Sequence, residues 1–99
     1  MKISGKQVAA ARELLGITQA ELAAAAGVGI STIYGLEAGK SEPYPVNFEK
    51  IRAELERRGI DFTNGDSPPS PGDGVGVRLN YARAAEFTRV TQPPRNDKG

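Results

Sequence analysis

The side chains that most often carry enzymatic chemistry are missing from this chain. It contains no histidine and no cysteine, so the commonest general base, the thiol nucleophile and the soft metal ligands are absent together. Arg12 and Glu37 could form an acid/base pair, and Gly72-Asp-Gly-Val-Gly76 superficially resembles a phosphate-binding loop. Such a loop follows a strand and opens a helix, whereas this one follows prolines and opens a strand-like segment. The sequence therefore predicts neither an enzyme nor a metal or cofactor site.

The most informative segment of the chain runs from Thr18 to Gly39, where the sequence predicts two short helices joined by a glycine-centred turn. Thr18 can cap the first helix, and Glu21, three residues later, completes a capping box. Gly27 supplies the positive φ that ends this helix and lets the chain turn. A second helix is predicted over residues 29–38, before Gly39 stops it.

The spacing of apolar residues gives both helices an inner face. Small alanines on the first helix and glycine in the turn allow the close approach that a crossing of roughly 90 to 120° requires. The inward-facing residues are Leu22, Ala23, Ala26, Ile33 and Leu36, while Ile30, Ser31, Tyr34 and Gly35 lie on the opposite face of the second helix.

These residues resemble the helix-turn-helix of the lambda-repressor-like family, also called the XRE or Cro/repressor type. The matching elements are Thr-Gln, Glu-Leu-Ala, Gly-Val, Thr-Ile and Glu-x-Gly. The resemblance extends from about residue 4 to residue 62, and a vaguer likeness to small bacterial XRE proteins covers the Gly-Val-Arg-Leu segment. It implies a mainly α fold of four to five helices with a short C-terminal β-hairpin, and a regulator that binds double-stranded DNA.

Candidate DNA contacts follow from this resemblance and from helix geometry. Gln19 opens a helix whose free N–H groups and dipole attract a phosphate, and the family contacts the DNA backbone at this position. The outer face of the second helix would reach base edges, although Gly29 and Ile30 replace the polar residues that are common there. Solvated charge is the alternative for the lysines. The complete candidate set is Gln19, Gly29, Ile30, Ser31, Thr32, Tyr34, Gly35, Lys40, Ser41 and Lys6.

The family resemblance also gives Arg12 and Glu37 a structural role. Many members have an ion pair at these positions, and it ties the first helix to the recognition helix. We therefore interpret the pair as structural and not catalytic.

Further helices flank the motif. Ser4 can cap a helix that ends at Leu15 before Gly16, and the prolines after Gly39 predict an ordered loop. Another helix is predicted from Val46 or Asn47 to Gly59. Its stripe of Phe48, Ile51, Arg52 and Leu55 can close the core, and Glu49, Glu54 and Glu56 belong to this helix, which can point away from the DNA-binding face.

Two short strands, 60–63 and 75–79, are predicted to pair around a long, mobile loop. Because an isolated ribbon is only marginally stable, it must pack on the helices or pair with the ribbon of a second subunit. Residues 81–99 form a tail with a helical patch and a disordered end. Tyr81, Phe87 and Val90 form an apolar set that could bind a partner protein or dock on the chain's own domain. We divide the chain into a domain over residues 1–62, the loop and ribbon strand over 63–80, and this tail.

Composition restricts the remaining choices. The net charge is +1, so DNA affinity requires localised charge or dimerisation. Without cysteine, an apolar run of membrane-spanning length or a signal peptide, the chain is expected to be cytoplasmic. The sequence favours a homodimeric, sequence-specific transcriptional repressor. The alternative is an antitoxin or another protein-interaction module that uses its tail.

Overall fold

The structure is a computed structural model that describes residues 3–64 and 75–91. These residues form five helices and one antiparallel hairpin. In chain order the elements are α1 (Gly5–Leu15), α2 (Gln19–Ala26), α3 (Ile30–Glu37), α4 (Pro45–Arg57), β1 (Ile60–Asn64), β2 (Val75–Leu79) and α5 (Tyr81–Thr91). The mainly helical fold with a hairpin is confirmed. Two predicted regions lie outside the described residues: the long loop at 65–74 and the chain end at 92–99. The loop includes Gly72 and Gly74 of the segment that resembles a phosphate-binding loop.

Side-chain caps fix the beginnings of α1 and α2 at the positions that the sequence predicts. Ser4 Oγ accepts a hydrogen bond from the Gln7 backbone N–H at 3.1 Å, and Gln7 Oε1 accepts from the Ser4 N–H at 2.9 Å. Thr18 and Glu21 form the same reciprocal capping box at 3.0 and 2.8 Å. Each box satisfies two backbone donors that a helix start would otherwise leave unpaired.

The core lies where α1 to α4 meet. Each of these four helices has two buried apolar residues, and Ile60 of β1 is fully buried beside them. The buried apolar residues are Ile3, Val8, Ala11, Leu22, Ala23, Ile33, Leu36, Ile51, Leu55 and Ile60.

Helix α4 differs from the sequence-based prediction in two ways. It begins at Pro45, because proline at the first helical position lacks only an N–H that has no helical partner. Arg52 does not join the apolar stripe but forms ion pairs with Glu49 and Glu56. On the same helix, Glu54 is buried and accepts hydrogen bonds from Arg57 and Arg58.

The hairpin packs on the helices of its own chain. Phe62 faces Val77 in the register, and both contact the core cluster. The buried Gln7 side chain donates from Nε2 to the carbonyl oxygens of Thr63 at 2.9 Å and Gly76 at 3.0 Å. A single glutamine of α1 therefore holds both strands, which provides the support that a lone ribbon lacks.

Helix α5 docks at the end of α4. The Phe87 ring lies 4.7 and 4.8 Å from the guanidinium carbons of Arg57 and Arg58. Arg83 donates to Asp61 at 2.6 Å and to the Ile60 carbonyl oxygen at 2.8 Å. The part of the tail that the structure describes thus packs on its own domain.

The predicted apolar set of Tyr81, Phe87 and Val90 is wrong as a single surface. Phe87 follows Tyr81 by six positions along the helix, which turns the two side chains about 120° apart around the axis. Phe87 is half-buried at α4, whereas Tyr81 is exposed beside Leu14 and β2. Within the described ranges, no helix has both the length and the apolar composition needed to cross a bilayer.

Candidate nucleic-acid interface

Residues 27–29 form the turn between α2 and α3. Gly27 adopts φ +74°, and its N–H donates to the Ala23 carbonyl oxygen at 2.9 Å. Val28 packs against the core cluster and so fixes the turn from inside. Gly29 precedes α3 without a side-chain cap. The Thr32 N–H donates to the Gly29 carbonyl oxygen at 3.0 Å, whereas the N–H groups of Ile30 and Ser31 have no capping side chain and remain available to an acceptor from outside.

A bidentate ion pair holds the end of α3 against α1. Arg12 donates from Nε to Glu37 Oε2 at 3.0 Å and from Nη2 to Oε1 at 3.2 Å, and its Nη1 donates to the Ile17 carbonyl oxygen at 3.0 Å. The two side chains are 15% and 8% exposed. The hydrogen bond to Glu37 raises the pKa of Arg12 above its usual value, against the opposing effect of burial.

Gln19 joins this pair from α2. Its Nε2 donates to Glu37 Oε1 at 2.9 Å, so the Glu37 carboxylate connects α1, α2 and α3. An amide nitrogen carries two hydrogens, and this bond uses only one of them. The half-buried Gln19 thus has a structural partner that the sequence did not indicate, and it retains a second donor.

The outward face of α3 presents the predicted base-contact residues. Ile30, Ser31 and Tyr34 are exposed, and Tyr34 retains 49% of its surface. Tyr34 lies one turn after Ile30 and Ser31, on the side away from the buried Ile33 and Leu36. This face combines one methyl-rich side chain with two hydroxyls, which suits a thymine methyl and a few hydrogen-bonding groups.

Gly35 has a different environment from the other candidates on α3. A Cβ added at Gly35 would overlap Ser41 Oγ, and the Gly35 carbonyl oxygen accepts from the N–H groups of Lys40 and Ser41 at 2.9 and 3.2 Å. The loop after α3 therefore folds back on the helix at Gly35. Ser41 is exposed but lies over this glycine, so the two residues fix the loop path.

Two lysines border the same end of α3. Gly5 packs against Leu36 closely enough that an added Cβ would overlap the Leu36 carbonyl oxygen, so the beginning of α1 adjoins the end of α3. Lys6 follows Gly5, and Lys40 follows α3; both are exposed. No carboxylate of the described residues lies within ion-pair distance of either lysine.

A groove beside α3 contains residues that sequence reasoning missed. Ser31 and Thr32 line it from α3, and Tyr44 and Asn47 line it from the beginning of α4. Tyr44 is 78% exposed, directly before Pro45. The proline could have indicated this position, because it marks the first turn of a helix. Thr32 is half-buried in this groove and is less accessible than Ser31.

Glu21 places a negative charge at the beginning of α2. Its hydrogen bond with the Thr18 backbone, and then the bond with the Thr18 hydroxyl, keep the pKa of Glu21 below its ordinary value. The carboxylate is therefore ionised at neutral pH, next to the helix end that would approach a phosphate.

Comparison with known proteins bears on this arrangement. A family model described as helix-turn-helix matches residues 8–60, which include α2, the turn, α3 and α4 completely and most of α1. No curated protein matches the chain. The matched segment contains the ion pair, the outward face of α3 and the capped beginning of α2. The chain belongs to the XRE-type, lambda-repressor-like helix-turn-helix family of DNA-binding regulators.

Proposed function

We propose that this protein is a sequence-specific transcriptional repressor of the cytoplasm that binds its operator as a homodimer, with α3 in the major groove. The observation that carries the proposal is the division of α3 into two faces. Ile33 and Leu36 are buried in the core, whereas Ser31 and Tyr34 are exposed on the outward side. A helix that is fixed on one side and polar on the other can enter the groove as a rigid body.

Base readout by one copy would be limited. Ile30 can contact a thymine methyl, and Ser31 can donate or accept one hydrogen bond. Tyr34 has the longest polar side chain of the three, and it can reach either a base or a phosphate. Since so few groups discriminate between sequences, a second copy about one helical turn away would multiply both affinity and specificity. This need supports the dimer.

The proposed phosphate contacts lie beside the C-terminal end of α3 and at the start of α2. The second amide hydrogen of Gln19 and the free N–H groups at the start of α2 can bind one phosphate. Lys40 and Lys6 supply exposed positive charges at the C-terminal end of α3, where Glu37 also holds Gln19. These contacts orient the protein on the duplex and do not depend on sequence.

Selection from a random duplex library at fixed salt tests the proposal. We expect a palindromic motif. Replacing Ser31 and Tyr34 by alanine is expected to blur the motif, whereas Gln19→Ala weakens binding to all sequences alike. Lys40→Ala is also expected to weaken binding to all sequences alike. Its matched control is Lys50→Ala, because Lys50 is an exposed lysine on α4. Equal affinity for all duplexes, or a strictly monomeric protein, would contradict the proposal.

Helix α5 bears on the alternative of a tail that binds a partner protein. Phe87 is engaged by Arg57 and Arg58, and Arg83 is engaged by Asp61. A partner that used these side chains would first have to displace the helix. This observation favours DNA binding as the main activity.

A further inference from the structure

The outer edge of strand β2 has unpaired backbone groups. The Asn80 N–H donates to the Gly59 carbonyl oxygen at 2.7 Å, which continues the hairpin ladder by one pair. Because hydrogen-bonded and non-hydrogen-bonded positions alternate in antiparallel strands, residues 78 and 76 also face β1. The N–H and C=O groups of Val75, Val77 and Leu79 therefore point away from β1. No backbone partner for them is found among the described residues.

A groove lies along this edge. Val77, Arg78 and Leu79 form one side of it, and Leu14 of α1 and Tyr81 of α5 flank it. Leu14 is 48% exposed, Tyr81 82% and Val75 64%. An unpaired strand edge between exposed apolar side chains is a template for another extended strand.

We propose that β2 of a second copy of this chain occupies the groove, so that two hairpins join into one four-stranded antiparallel sheet. The proposal rests on the homodimer of the proposed function and identifies its interface. Strand pairing alone buries too little surface for a stable dimer. The flanking Leu14 and Tyr81 of each copy would add apolar area at both ends of the paired strands.

The pattern of residues along β2 selects one register. With the two-fold axis at Val77, Val75 faces Leu79 of the other copy. The backbone N–H and C=O groups of Val75, Val77 and Leu79 then all form hydrogen bonds with the second copy. If the axis is shifted by one residue in either direction, only two of these three residues can form backbone hydrogen bonds with the second copy.

Charge and size favour the same register. With the axis at Val77, Arg78 lies opposite Gly76 of the second copy, which has no side chain to obstruct it. Arg78 is already paired with Asp61 of its own chain at 2.8 Å. An axis at Arg78 would instead place two arginines opposite each other, which is unfavourable.

Proline substitution distinguishes the two edges of the hairpin. Val77→Pro removes an N–H that points away from β1, so the intrachain ladder is retained while the outer edge is blocked. Phe62→Pro is the matched control, because Phe62 faces Val77 in the register and its N–H points away from β2. In sedimentation equilibrium we expect Val77→Pro to weaken dimerisation by about tenfold or more and Phe62→Pro to leave it near the wild-type value.

Thiol cross-linking gives a second readout that does not require proline to be tolerated. The chain has no cysteine, so a covalent dimer can form only at an introduced thiol. Across a hydrogen-bonded antiparallel pair the Cα atoms are about 5.5 Å apart, within disulfide range. Oxidation should therefore link Val77→Cys rapidly and Phe62→Cys only slowly.

The outcomes separate this inference from the proposed function. A wild-type dimer that selects a palindrome, but shows no difference between the two edges in either experiment, would overturn the β2 interface and leave the repressor proposal standing. A wild-type protein that is monomeric at all concentrations would overturn the interface and the dimer together. Duplex selection then shows separately whether DNA binding is sequence-specific.

Discussion

Replacing Glu37 by leucine is expected to destabilise the protein much more than replacing Arg12 and Glu37 together. Glu37 accepts two hydrogen bonds from Arg12 and one from Gln19. Its removal leaves the Arg12 guanidinium, 15% exposed, with the Ile17 carbonyl oxygen and the distant carboxylate of Glu13 at 3.9 Å. Leaving one charge of a buried pair without its partner costs about 3 to 5 kcal/mol.

The reverse substitution has a similar cost. In Arg12→Met the Glu37 carboxylate, 8% exposed, retains only the hydrogen bond from Gln19. Replacement of both partners by apolar residues removes the unpaired charge, so the double variant is expected to lose about 1 to 2 kcal/mol or less. The three values imply a coupling energy of at least about 4 kcal/mol.

Urea denaturation followed by circular dichroism measures all corners of this double-mutant cycle. The control is the pair Arg52 and Glu56 on α4, which has the same residue types, a 2.9 Å separation and side chains that are 24% and 36% exposed. Solvent screening limits such a helical pair to about 0.5 kcal/mol. Additive losses at Arg12 and Glu37, with a coupling no larger than the control value, would refute the reasoning.

Three other substitutions test separate parts of the fold. Gly5→Ala is expected to cost more than about 2 kcal/mol in urea unfolding, because its Cβ would overlap the Leu36 carbonyl oxygen; a urea midpoint equal to that of the wild type would contradict this. Phe87→Ala removes the ring that Arg57 and Arg58 cover, so limited proteolysis within α5 should become faster, and unchanged digestion would show that the ring does not hold the helix. The hydrogen bond from Arg78 lowers the pKa of Asp61, so its stabilising effect is complete above the usual carboxyl range and is lost as the pH falls through the lowered value. The melting temperature of the wild type should therefore fall more steeply below about pH 4 than that of Asp61→Asn, whereas equal slopes would contradict the ion pair's role.

Features whose causes lie within a few residues could be predicted from the sequence. The capping boxes at Ser4 and Thr18 and the left-handed glycines at 16 and 27 depend on neighbours up to four positions away. The inner and outer faces of α3 follow from helical periodicity alone. The family resemblance placed Arg12 and Glu37 together, although periodicity could not have related two residues on separate helices.

Features that depend on contacts distant in sequence could not be predicted. Gln7 reads as an ordinary cap residue, and nothing local indicates that its amide also joins both hairpin strands. Gly5 reads as the first residue of a helix, and its close contact with Leu36 exists only in the folded chain. Glu54 reads as a solvated acid, yet two arginines that follow it one turn later cover it. In each case a polar or small residue has a partner whose position is set by the tertiary fold.

The ion pairs explain how a chain of net charge +1 can present a positive surface to DNA. Every arginine of the described residues lies within ion-pair distance of a carboxylate. The lysines of the same residues, Lys6, Lys40 and Lys50, have no such partner. Two of these three border the end of α3, so the uncompensated positive charge is concentrated beside the recognition helix although the total is near zero. In the proposed complex each copy would supply few phosphate contacts, and the proposed homodimer would double them without raising the overall charge of the monomer.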